Sequence, residues 1–237
     1  QIKSGHLFDR LLQMFQSEEY LLGCAMSTSG TREADTGLGI LQGHAYGILE
    51  VRRYGKLRML RCRNPWGCTE WTGKYSDGDK FWTPAMLKEF GHSLGDDGSF
   101  WIEYSDFVVQ YNKIYVCRLL DDDLYRRVAF MSKWTKGVNA GGCINNRESW
   151  PTNPQYKLVV PKKAEIILSI QQPDPRMSTS GEGVYLGLVV FAAPDGAKTT
   201  VYRPVHQTKI ANVRELTITK TLEPGTYNLM PFTFDKD

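Results

Sequence analysis

Two polar residues in apolar surroundings are spaced so that they could do chemistry together. His44 sits in Gly43-His44-Ala45-Tyr46, and Asn64 follows the strand-like run Leu57 to Arg63, leading into Pro65-Trp66-Gly67. Between the two runs lies Tyr54-Gly55-Lys56, which predicts a hairpin. If Arg53 and Leu57 pair across that turn, facing residues have numbers summing to 110, so that His44 faces Trp66 and Asn64 faces Tyr46. Asn64 is then a diagonal neighbour of His44 on one face, about 7–8 Å away by Cα. A two-residue turn at 55–56 would shift the register by one and send the two side chains to opposite faces. An Asn amide oxygen beside an imidazole accepts its N–H, fixes the tautomer and leaves the other ring nitrogen for a nucleophile. Pro65 stiffens the chain after Asn64, and Trp66 is placed to cover the bond from water. The same residues also read as a buried histidine and a strand-end turn.

A second group is acidic. Glu70, Asp77, Asp79, Asp96 and Asp97 fall in glycine-broken loops downstream of Asn64. Oxygen ligands on loops suit a hard cation such as calcium, which takes six to eight of them at about 2.3–2.6 Å. Neither Asp77-Gly78-Asp79 nor Asp96-Asp97-Gly98 extends into an EF-hand, which needs Gly at loop position six and Glu at twelve. Solvated loop carboxylates are the other reading. Asp121 to Asp123 either bind a cation or mark a domain boundary, and the boundary is the preferred reading.

These residues need elements to hold them. Leu7, Phe8, Leu11, Leu12 and Phe15 form an amphipathic stripe, so residues 4–18 read as a helix with Ser4 as N-cap. Leu21 to Ser27 reads as a strand, followed by a Gly/Ser/Thr-rich loop to Gly43. His44 to Tyr54 and Leu57 to Arg63 are the hairpin strands. Thr83-Pro84 opens a short helix over Pro84 to Phe90, with Pro at its first position. Phe100 to Tyr104 is a strand, Ser105-Asp106 starts a helical turn, and Lys113 to Leu119 is another strand. Past residue 120 only short β-rich runs follow: Val128 to Trp134, Gln155 to Val160, Ala164 to Gln171, Tyr185 to Ala192, Thr199 to Tyr202, Glu215 to Thr219 and Gly225 to Phe232. Clusters of Pro, Gly, Asn and Asp separate them, the pattern of an antiparallel β-sandwich. The expected organisation is α+β over residues 1–120 and all-β over 121–237.

Composition narrows the classes. The 237 residues suffice for two domains, and 41% apolar with 23% charged residues is globular. A net charge of +3 with no basic block argues against a nucleic-acid partner. The longest apolar run, Tyr185 to Ala193, is too short to span a bilayer. No signal peptide is visible, and helical pattern begins almost at once without an initiating Met, as in a piece of a longer protein. Five irregularly spaced cysteines favour a reducing, cytoplasmic setting over a disulfide framework. Cys62 and Cys68 lack the spacing of a zinc site.

Several stretches, in this order and spacing, are more specific: "GHAYGILEV", "LRCRNPWG", "EWTGKYSDGD", "WTPAML", "DDGSFWIEYSDF" and "IYVCRLL". Together they resemble the second subdomain of the calpain protease core, the β-rich half of a papain-like fold. "AGGCINN" and "NPQYKLVV" look like the β-sandwich that follows that core in calpains. The resemblance covers nearly the whole chain. It implies an intracellular, calcium-dependent cysteine endopeptidase acting on protein substrates, with His44 as general base and acid and Asn64 as its orienter. Trp66 matches the family's tryptophan beside the active site. Glu70 and Asp77 fall where the family places two calcium carboxylates, Asp97 matches a third, and Gly95 would offer a backbone carbonyl. Ser99 stands where calcium-binding members carry a Glu.

The family's nucleophilic Cys, and the Gln that helps form its oxyanion hole, belong to a first subdomain N-terminal to this chain. Cys24 precedes His44 by only about twenty residues, against roughly 130 in papain-like enzymes, so it is not expected to substitute; Cys62 and Cys68 are no better. A non-catalytic calpain-fold scaffold or regulatory protein is the rival reading, and a free-standing lipid- or calcium-binding module a third. For the sandwich, Lys162-Lys163 and Arg126-Arg127 fall short of a polybasic lipid site. Bracing or regulatory contact is expected of it before weak membrane contact.

Overall fold

A computed structural model describes residues 6–27, 33–92, 95–174, 177 and 183–236. The chain forms two compact units, Gln1–Arg127 and Val128–Asp237. It is largely β, its strand-to-strand ladders antiparallel, with three short α-helices among the described residues, as the α+β expectation requires. No helix among them is long and apolar enough to cross a membrane.

In the first unit, strands β1 (Tyr20–Ala25), β4 (Ala45–Tyr54), β5 (Leu57–Arg63), β6 (Ser99–Glu103) and β7 (Lys113–Arg118) make one sheet in the order β6-β5-β4-β1-β7. A two-stranded ladder, β2 (Ala34–Asp35) with β3 (Leu41–Gln42), touches the end of β1 through one parallel bridge, Met26↔Gln42. Helix α1 (His6–Gln16) buries Phe8 and Leu11 against one sheet face. The position expected for its cap, Ser4, lies outside the described residues. On the same side, Cys24, Tyr46, Ile48, Val51, Leu60, Cys62, Phe100 and Ile102 pack with Phe107 and Tyr111 of and after α3 (Tyr104–Gln110). On the opposite face, Met59 and Trp101 pack against Tyr75, Trp82, Met86 and Phe90. The last two belong to α2 (Pro84–Phe90), whose bounds are those expected: Thr83 Oγ1 accepts from the Met86 N–H, and Gly91, at φ 56°, closes it.

The hairpin register departs from the simple expectation and then rejoins it. Tyr54 pairs with Leu57, so the turn is two residues long, with Gly55 at φ 57° in the position that hairpin turns of type II′ give to glycine. Facing numbers therefore sum to 111 from Tyr54↔Leu57 to Glu50↔Arg61. A β-bulge at Leu49 then returns the sum to 110 at Ile48↔Cys62 and Gly47↔Arg63. The bulge also explains the burial. Tyr46, Ile48 and Val51 all face the core although the last breaks the even spacing, and Leu49 is left half-exposed.

The second unit has a four-stranded sheet, β11-β10-β13-β8, from β8 (Tyr156–Val160), β10 (Leu186–Ala192), β11 (Pro204–Gln207) and β13 (Gly225–Thr233). A two-stranded sheet pairs β9 (Ala164–Gln171) with β12 (Glu215–Leu222). Ile166, Leu168 and Leu222 of the smaller sheet pack on Val160, Val190, Tyr227 and Leu229 of the larger, so two layers enclose this core. Two expected strands are absent. Val128 to Trp134 is irregular, and Val128, Phe130 and Met131 are exposed, so its alternation has no buried face to serve. Thr199 to Tyr202 is a loop clamped by Gln155, whose amide bonds both the N–H and the carbonyl of Thr199. The strand falls just after it, as β11.

Deleting Leu49 is expected to remove the bulge and leave a regular ladder, with Glu50↔Arg61 and Ile48↔Cys62 still paired and Tyr46 and Ile48 still facing the core, at a cost of about 1 kcal/mol or less. Leu49→Ala, which trims only a half-exposed side chain, should cost under about 0.5 kcal/mol. Urea denaturation of the two variants checks both figures, and a loss of several kcal/mol on deletion would show that the bulge itself is needed.

Candidate functional site

The end of β5 delivers Asn64 into full burial, and there every hydrogen-bonding position of its amide is used. Nδ2 donates to the Cys68 carbonyl at 2.7 Å and the Thr69 carbonyl at 3.1 Å. Oδ1 accepts from the Trp66 N–H at 3.0 Å and from His44 Nε2 at 2.9 Å. Two carbonyls on the nitrogen side leave one way for the amide to sit, because a flipped amide would aim oxygen at oxygen. The oxygen must then meet a donor, so His44 carries a proton on Nε2. The tautomer is fixed by the backbone of a turn.

His44 stands just before β4 and is itself buried, with 7% of its side chain exposed. The Trp66 ring lies 4.6 Å away, tilted over the imidazole, and Tyr46 meets the ring edge-on at 5.1 Å. Trp66 stays more than half exposed, so it forms a lid between the His44–Asn64 bond and solvent. Burial raises the Tyr46 phenol, against the lowering effect of the Leu41 N–H that donates to its oxygen at 2.9 Å. That bond ties the segment entering His44 to the sheet. The remaining ring nitrogen, Nδ1, meets Glu33 Oε1 at 2.9 Å.

The acidic residues separate into two kinds. Glu70, Asp77, Gly95 and Asp96 line an open cleft of about 740 Å³. Asp97, expected there, is instead engaged with its own turn: its carboxylate accepts from the Ser99 N–H at 2.8 Å, and bonds from Ser99 hold its pKa down. Glu70 Oε1 accepts from the Gly98 N–H at 2.7 Å, and Asp77 Oδ2 from the Gly95 N–H at 3.1 Å. Burial pushes both carboxyls up; Asp77 and Asp96 add to the rise at Glu70, and Asp96 and Asp97 to that at Asp77. The second Asp77 oxygen, Oδ1, is buried without a hydrogen bond, and His92 Nε2 lies 3.2 Å from it. His92 stacks on Trp82 at 4.4 Å, and burial lowers its pKa. Asp79 accepts from the Tyr75 N–H and serves its loop. Among the described residues, no three His, Cys, Asp or Glu side chains converge as a metal cluster.

Gly98 joins these loops to Asn64. Its carbonyl accepts from the Asn64 N–H at 2.7 Å while its own N–H is held by Glu70. At φ 81° it occupies the left-handed region, and a Cβ there would stand 2.8 Å from the Asn64 carbonyl oxygen and from Gly67 Cα. Gly98, Tyr46, His92 and Glu33 were not singled out from the sequence. Tyr46 is detectable as the same-face neighbour of His44; Glu33, in a loop without periodicity, leaves no signal.

All five cysteines are unpaired. Cys24, opposite Tyr46 across β1 and β4, is fully buried, and burial drives its thiol far up, the setting of an inert thiol. Cys68 is exposed and contributes its carbonyl to Asn64.

Residues 1–118 match the sequence family described as calpain family cysteine protease, and residues 130–237 that described as calpain large subunit, domain III. A calpain of Schistosoma mansoni is 31% identical over 267 residues, covering 98% of this chain and 35% of the relative. Calpain-9 of Mus musculus is 31% identical over 259 residues, covering 96% of this chain and 38% of its own length. A calpain-type cysteine protease, DEK1 of Zea mays, is 40% identical over 161 residues, 67% of this chain and 7% of that protein. The chain thus spans little more than a third of the length of the first two.

Gly98→Ala is expected to cost about 2 kcal/mol or more, from left-handed strain and the clash with backbone. Guanidinium unfolding of this chain reads that loss.

Proposed function

Because the chain belongs to the calpain family of cysteine proteases, we propose that residues 1–120 supply the His and Asn of a Cys-His-Asn endopeptidase, and that residues 121–237 brace or regulate that core. The observation that carries this reading is the 2.9 Å bond from His44 Nε2 to an Asn64 amide that cannot turn. With Nε2 committed, Nδ1 is the nitrogen left for proton transfer. The nucleophile is a cysteine outside these residues, on the preceding part of the protease core. His44 Nδ1 takes its proton, the thiolate attacks the peptide carbonyl, and the imidazolium returns the proton to the leaving amine. His44 then activates the water that releases the acyl group, while Asn64 keeps the ring in plane and Trp66 shields the bond. Protein substrates and a cytoplasmic setting go with this reading, and the unpaired cysteines suit the latter. The rival, a non-catalytic scaffold of the same fold, gives no reason for so completely held an Asn64.

Calcium belongs to the same proposal. Glu70 and Asp77 would hold it, with the Gly95 backbone and Asp96 beside them and Asp97 turned to Ser99. The fit rests on Asp77 Oδ1, buried with no hydrogen bond and with His92 Nε2 3.2 Å away, and on carboxylates whose pKa values are raised by burial and by one another. When bound, the cation neutralises this cluster. The sign follows. A carboxyl whose folded pKa is raised destabilises the ionised fold, and the penalty fades as pH falls toward that pKa or as a cation neutralises the charge.

In the full-length protein, His44→Ala should lower peptide hydrolysis by at least ~10²-fold with the circular dichroism spectrum unchanged. Retained turnover would rule out the assigned mechanism, as would the lack of a Gly-Asp-Cys-Trp-like segment in the preceding sequence. Millimolar calcium should raise the melting temperature of this chain by a few degrees, in the range of ~1 kcal/mol. Glu70→Gln should abolish that increment; no rise in the parent chain dismisses the cation.

A further inference from the structure

We propose that Glu33 is a built-in blocking group, an anion that occupies the place of the thiolate on His44 and must be displaced before the site can work. This inference rests on the reading of His44 as the general base. Glu33 Oε1 lies 2.9 Å from Nδ1, while Nε2 is committed to Asn64. A carboxylate oxygen on one side and an amide oxygen on the other are both acceptors, so a ring that satisfies both has an N–H at each nitrogen. Such a ring has no lone pair to take a thiol proton. Its Nδ1–H, the group that would pair with a thiolate, already has a partner of the same charge as one.

The elements around Glu33 make this contact releasable. Glu33 directly precedes β2, which is held to β3 by two residue pairs, Ala34↔Gln42 and Asp35↔Leu41. The β3 side is anchored: Ile40 and Leu41 are buried, and the Leu41 N–H donates to Tyr46. The β2 side is not anchored in this way, since Ala34 and Asp35 are exposed. Asp35 instead caps the N–H groups of Gly37 and Gly39, two glycines with positive φ that form the bend between the strands. The Glu33 side chain is 39% exposed against 7% for His44, so the carboxylate can leave for water while the imidazole stays in place. An exposed charged contact of this kind shifts an equilibrium without locking it.

The test uses the full-length protein and reads the rate at which iodoacetamide alkylates the nucleophilic cysteine in the absence of any activator. Glu33→Ala and Glu33→Gln should each raise that rate, and basal hydrolysis with it, by roughly 3–10-fold, while kcat under full activation stays at the parent value. Parent rates in both variants would overturn the proposal. So would a fall in kcat, which would make Glu33 a positioning residue instead. His44→Ala, run alongside, separates the two levels. If it retains turnover, the assignment of the site itself fails; if it is inactive while the Glu33 variants match the parent, this inference alone fails. A 15N spectrum of the His44 ring gives a readout independent of turnover: the Nδ1 signal should move on Glu33→Gln, and an unmoved signal counts against the contact.

Discussion

Everything at the site depends on a single amide having no freedom. Asn64 spends both nitrogen protons on the carbonyls of Cys68 and Thr69 and both oxygen positions on Trp66 and His44. In a fully buried position each of those bonds is needed, since an unmet polar group there costs about 1–3 kcal/mol. The direction of the oxygen is therefore dictated by backbone, and the imidazole proton follows. A side chain that chooses a tautomer usually does so through another mobile side chain. Here the choice is made by the conformation of a turn, and Pro65 and Gly98 maintain that conformation from its two sides.

The acidic loops matter chiefly because of where they attach. Glu70 holds the Gly98 N–H, and the Gly98 carbonyl holds the Asn64 N–H. Two hydrogen bonds thus separate the carboxylate cleft from the residue that orients His44. Repulsion among Glu70, Asp77 and Asp96 is stored one peptide unit from the site, and whatever relieves it acts on a loop already strapped to Asn64. No long-range relay has to be invoked for the two regions to sense each other.

Much of this could be read in advance, and the failures have physical causes. The position of α2 followed from a Thr cap and a Pro, and the bounds of β9 from an apolar run between Pro161 and Pro173. The His44–Asn64 pairing was legible too, but through an incorrect turn: the hairpin tip is one residue tighter than the expected pairing. The Leu49 bulge cancels the difference, and its trace was present as two adjacent apolar residues, Ile48 and Leu49, in a strand that otherwise alternates. Val128 to Trp134 misled because alternation describes a surface-to-core gradient only where a core lies beside the strand. The bond of Asp97 to Ser99 was not legible, because sequence places a carboxylate near a site but does not say what its own turn asks of it. Glu33 could not have been found, since nothing local links a loop glutamate to a histidine eleven residues later.

The Leu49 bulge has a consequence for how such a hairpin can vary. Turn and bulge each displace the pairing by one step, so what reaches His44 and Asn64 is only the parity of the two together. The tip could lengthen by one residue if the bulge were lost, and the far end would be unaware of the exchange. Loss of the bulge with the turn and the chain length unchanged, by contrast, would set Leu49 opposite Cys62 and turn the far end of β4 over relative to β5. The distance from the turn is no protection against that error, because a ladder transmits register without loss. The hairpin behaves as a checksum: lengths along it are negotiable, and evenness is not.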